Sequence, residues 1–166
     1  MNKTFVLILI YLALTLLSLV LRTALWPKYL QNQGFFPQMI IPLLLHFFLH
    51  STLIASTYLM LGVTLLTEGL STYSFLELFS VYLLIYFSVF VSKRNWQKPE
   101  FFFASVFLWT LITPFVLQIP LLLFYKPHAS PLFLPALINA LVTLGVGYCI
   151  LPFLDSLKNT FSVEQL

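Results

Sequence analysis

The sequence predicts an all-α protein, a polytopic transmembrane helical bundle, and three observations carry that prediction. Hydrophobic residues make up 60% of the 166-residue chain and charged residues only 8%, with a mean hydropathy of +0.98. A soluble domain is about 45–50% apolar and about 25% charged, so this surface is not built for water. Formal charges are missing from long runs, between Lys3 and Arg22 and again from Phe35 to Thr67. The charges that exist gather largely in the short gaps between apolar runs. This pattern argues against a soluble enzyme and a disordered tail, and the single Cys149 argues against a disulfide scaffold. A net charge of +3 scattered over gaps does not make the basic face of a nucleic-acid binder. Residues 1–166 read as one integral membrane domain.

The first span covers residues 5–25, long enough to cross about 30 Å of hydrocarbon as a helix. Its apolar stretch exceeds the ~7–15 residues of a secretory signal, so it reads as uncleaved. Trp26-Pro27 ends it with an interfacial aromatic and a helix breaker. The uncharged stretch that follows is too long for one span, about 50 Å as a single helix. The expected break is His50-Ser51-Thr52, which leaves two short spans, 36–49 and 53–66. Residues 75–91 make the next span, and Ser92 to Glu100 form the one strongly polar loop, with Lys93, Arg94 and Lys98. Residues 101–125, bent by Pro114 and Pro120, and residues 132–154 complete the set. The tail from Asp155 onward is short and polar.

Six spans are preferred and five remain open. With six and an inner N-terminus, Lys3, Lys93, Arg94, Lys98 and Lys158 face Arg22, Lys28 and Lys126 across the membrane. With five, only Lys3 and Lys126 share the N-terminal side, which then lies outside. Both counts put the Lys93–Lys98 loop and the C-terminal tail in the cytoplasm.

Polar residues inside the apolar runs fall into three groups. His46 and His50 share a helix face. Two readings fit them: hydrogen bonding to backbone near the break, or metal or proton chemistry needing further ligands, with Cys149 and Glu68 as candidates. Thr52, Ser56, Thr64 and Glu68 make one stripe, expected to face protein because hydroxyls can bond to a neighbouring helix. Ala136, Ala140, Thr143 and Gly147, with Asn139 beside them, make a second stripe of small residues suited to close helix contact or to a partner's transmembrane helix. Glu68 and Glu77 bracket the loop before the fourth span as solvated carboxylates, and Tyr82 and Tyr86 form a same-face packing pair. A nucleophile elbow, a zincin helix and a phosphate-binding loop are all missing, so catalysis and a bound cofactor are not expected.

Three segments resemble the rod shape-determining MreD family. Gly34-Phe35-Phe36-Pro37-Gln38 looks like the family's connector into a Pro-initiated helix, with Gln38 where an acid is common. The stretch from Gly62 to Thr72 is similar to its Gly-apolar-Asp-Leu-x-Ser-Gly segment, the acid appearing as a shifted Glu68. Pro135-Ala136-Leu137-Ile138-Asn139-Ala140 looks like its Pro-x-x-x-Asn-Ala last span. The resemblance implies a non-enzymatic protein of the bacterial inner membrane that binds the bitopic protein MreC. Such proteins help couple MreB filaments to the RodA polymerase and its transpeptidase partner in peptidoglycan synthesis. It implies that the stripes through Ser56 and Asn139 hold the bundle or clasp MreC, and that Lys93, Arg94 and Lys98 meet cytoplasmic partners or anionic lipid. The family's fold is shared with the substrate-binding S components of energy-coupling-factor vitamin transporters. An S component, its pocket drawn from Glu68, Ser71, Thr72 and Glu77, is therefore the alternative function.

Overall fold

The computed structural model describes residues 3–25, 38–70, 73–92, 99–124 and 133–160, and among them the only regular elements are six α-helices. They are α1 (Lys3–Leu25), α2 (Ile40–His50), α3 (Leu53–Glu68), α4 (Phe75–Ser92), α5 (Pro99–Phe124) and α6 (Phe133–Thr160). Windows of α1, α5 and α6 are long and apolar enough to cross a membrane; α2, α3 and α4 are shorter apolar helices. At 1.5 Å per residue α2 covers only about 16 Å, roughly half of the hydrocarbon.

The expected break between the second and third helices is present, and its chemistry is local. Ser51 is extended (φ −115°, ψ 167°) and ends α2. Thr52 caps α3, its hydroxyl accepting from the Ala55 N–H at 3.4 Å. The Ser51 and Ser56 hydroxyls bond each other at 2.7 Å, tying the connector onto the first turn of α3. At the other end, α2 starts at Ile40, and the Gln38 N–H just before it donates to the Thr143 hydroxyl of α6 at 2.9 Å. Pro42 sits in the first turn, where its missing N–H costs no helical bond.

The shortest helix is the centre of the bundle. α2 touches all five other helices, and Ile41 through Leu49 are all buried. Each of α1, α3, α4, α5 and α6 shows large apolar side chains outward, such as Leu17, Ile54, Phe87, Leu108 and Tyr148; α2 shows none. That division suits lipid outside and protein inside. The inner side chains form one cluster running from Leu7, Tyr11 and Leu44 through Val63 and Ile85 to Val106 and Leu154.

One correction concerns the long helices. α6 does not stop at Leu154 but runs through Pro152 to Thr160, so Asp155 is helical rather than part of a tail. Leu154, buried, and Leu157, packed on the core, extend the inward face past the proline. α5 forms the single helix expected there, with Pro114 and Pro120 inside it.

Glycines separate close contacts from ordinary ones. A Cβ on Gly62 of α3 would meet Leu12 Cδ2 of α1 at 2.7 Å, whereas one on Gly147 of α6 would meet Pro42 Cβ at 3.6 Å. Gly62→Leu is therefore expected to destabilise the bundle by ~1–3 kcal/mol. Gly147→Ala should stay within ~0.5 kcal/mol of the parent. Unfolding midpoints in detergent check the pair, and equal losses at both positions would contradict the packing.

Candidate functional site

Polar side chains from three helices meet near one end of α2. On α1, Leu7, Ile8, Tyr11, Thr15, Ser18 and Leu19 share the inward face at helical spacing, and this turns Tyr11 toward α2. The Tyr11 hydroxyl lies 2.6 Å from His46 Nδ1. His46 Nε2 lies 3.1 Å from Asp155 Oδ1, carried there by the extension of α6 past Pro152. An ionised carboxylate only accepts, so His46 donates from Nε2 and accepts the Tyr11 O–H at Nδ1. Both ring nitrogens of a nearly fully buried imidazole are thus satisfied.

The surroundings fix the ring. Phe47 meets Tyr11 edge-to-face at 4.9 Å, and Phe102 of α5 meets His46 edge-to-face at 6.4 Å. His50, one turn along α2, places its ring centroid 4.8 Å from that of His46. One ligand atom from each of His46, His50 and Asp155 lies within 4.8 Å of the others. The cluster grades outward: the His46 side chain is 2% exposed and the Asp155 side chain 51%. Lys158 follows Asp155 by three residues, on the same helix face. Two imidazoles and one carboxylate at this separation can share a cation or hold a hydrogen-bonded relay.

The expected stripes lie inside the bundle. Ser56 and Thr64 of α3 are buried, as are Ala136, Asn139, Ala140, Thr143 and Gly147 of α6. The expected reason holds only in part. Thr64 donates to the Met60 carbonyl of its own helix, and the buried Thr67 donates to that of Val63, each at 2.7 Å. A threonine that bonds its own i−4 carbonyl can face a neighbouring helix without bonding to it. Thr143 does bond across, to the Gln38 N–H, and Gly147 lies beside Pro42 and Val106. The two stripes belong to separate helices that each pack on α2. Thr52 is exposed and serves as a cap.

The two acids near the fourth helix have structural partners. Glu77 Oε2 accepts the Ser74 N–H at 2.8 Å, a capping box at the start of α4, and Glu68 Oε1 accepts the Phe75 N–H at 3.1 Å. Tyr82 is buried with its hydroxyl directed at Thr67 Oγ1 (3.4 Å), and Tyr86 packs edge-to-face on Phe48 at 5.3 Å. Cys149 is exposed, so neither it nor Glu68 joins the histidines; Asp155 does. Lys93, Arg94 and Lys98, together with Ser71, Thr72 and residues 34–37, lie outside the described residues.

Reading the sequence missed Tyr11 and Asp155. Tyr11 had a signal, since Thr15 and Ser18 share its face in an otherwise apolar span. Asp155 had none, because it reads as the first residue of a short polar tail after the last span. No family model, curated protein or solved structure gives a significant match to this chain.

Proposed function

We propose that this chain is a non-enzymatic scaffold of the bacterial inner membrane, working in the cell-elongation machinery. It docks an MreC-like bitopic protein and helps couple MreB filaments to peptidoglycan synthesis by a RodA-type polymerase and its transpeptidase partner. The resemblance at Gly62–Thr72 and Pro135–Ala140 supports this reading. The observation that carries the reading is how the bundle uses its polar groups. Among the described residues every buried side-chain nitrogen and oxygen has a partner, and Glu68 and Glu77 hold the start of α4. Those two acids are half of the set that a vitamin pocket would draw on, and they are engaged in keeping a helix in place. A bundle around one buried helix, with apolar outer faces on the other five, suits a rigid block that meets other membrane helices. Lys93, Arg94 and Lys98 supply its cytoplasmic face, toward partners or anionic lipid.

Depletion in the source bacterium tests the reading. Cells losing the chain should round up and swell within a few generations, and re-expression should restore rods. Normal rod shape after depletion would overturn the proposal.

A further inference from the structure

We propose that His46, His50 and Asp155 form a binding site for one divalent transition-metal ion of the zinc type, with Tyr11 as its positioning residue. The donor set is two imidazoles and a carboxylate, a combination that suits borderline ions such as zinc and leaves one coordination position for water. Donor atoms bound to one tetrahedral ion at ~2.0–2.1 Å stand about 3.3 Å apart. His46 Nε2 and Asp155 Oδ1 already stand 3.1 Å apart, and one ligand atom from each of the three residues lies within 4.8 Å of the others. His50 is the last residue of α2 and only partly buried, so a change of its side-chain torsions closes the remaining distance. The half-exposed Asp155 gives an ion a path from solvent.

Tyr11 fits the role of an outer partner. Metal-bound histidines nearly always donate their other ring N–H to a neighbouring oxygen, which fixes the tautomer. When Nε2 binds metal the neutral ring takes its other tautomer, the proton moving from Nε2 to Nδ1 by exchange with solvent; the Tyr11 oxygen 2.6 Å away then accepts instead of donating. A hydroxyl serves both arrangements, as a purely accepting or purely donating group does not. Lys158 opposes a bound cation, but its long stem lets the ammonium swing into water. The ion would join α2 to α6 and leave α1 bound through Tyr11. This inference stands apart from the scaffold reading.

The test uses the full chain, purified in detergent through a histidine-free tag, loaded with zinc and dialysed. Elemental analysis should find about one zinc per chain, and cobalt in its place should give the visible absorption of a four-coordinate site. His50→Gln and Asp155→Asn should each lose stoichiometric zinc while retaining helical content and a monodisperse elution profile; Asp155→Asn also keeps an acceptor for the His46 N–H. Tyr11→Phe should keep the stoichiometry and bind about 10–100-fold more weakly. A parent chain that retains no zinc, or His50→Gln and Asp155→Asn chains that retain as much as the parent, would overturn the proposal. Should one variant fail to fold, the parent stoichiometry and the other variant decide it.

Discussion

His46→Ala is expected to destabilise the bundle by ~3–5 kcal/mol. The substitution removes a nearly fully buried ring that touches Tyr11, His50 and Phe102, and the space it leaves has a cost that grows with its volume. It also strands the buried Tyr11 hydroxyl, worth a further ~1–3 kcal/mol where no water replaces the partner. Adding Tyr11→Phe removes that stranded hydroxyl. The double variant should therefore be no less stable than His46→Ala alone, and up to ~2 kcal/mol more stable. Unfolding by titration with a denaturing detergent, followed by helical signal, checks both values. A His46→Ala loss under ~1 kcal/mol would mean that the cluster does not hold α1, α2 and α6 together.

The second large effect is at Ala140. This residue has no exposed surface, on the face of α6 that also carries Ala136, Thr143 and Gly147. α6 packs against α5 and α2. Ala140→Phe forces a ring into space filled by neighbours and should cost ~3 kcal/mol or more, enough to collapse yield. Leu141 is 54% exposed on the outer face, and Leu141→Phe should stay within ~0.5 kcal/mol of the parent. Expression level and thermal midpoint in detergent compare the two. Equal tolerance at both positions would contradict the inward orientation of the stripe.

The sequence carried the helices well where ends are chemically marked. The break at His50–Thr52 was readable because a polar triplet interrupts an overlong apolar run and Thr52 is a ready cap. The inward faces of α3 and α6 were readable because small and hydroxyl residues recur at helical spacing. The centrality of α2 was not readable. A helix surrounded on every side is apolar on every side, and periodicity then carries no direction. The destination of a threonine hydroxyl was also hidden, since Thr64 and Thr143 look alike in sequence yet one bonds its own helix and the other bonds Gln38. The His46 cluster depends on residues 35 and 109 positions away, a pairing that only the packed bundle creates. Glu77 reads in sequence as a solvated loop carboxylate, and only the structure shows it accepting the Ser74 N–H at the start of α4.

The scaffold reading and the vitamin-transporter alternative separate on what the chain holds in the membrane. Affinity purification of the full chain from native membranes in mild detergent, with identification of stoichiometric partners, tests this most directly. Under the scaffold proposal an MreC-like bitopic protein is recovered in stoichiometric amount. An energising ATPase module recovered in its place, with no bitopic partner, would contradict it.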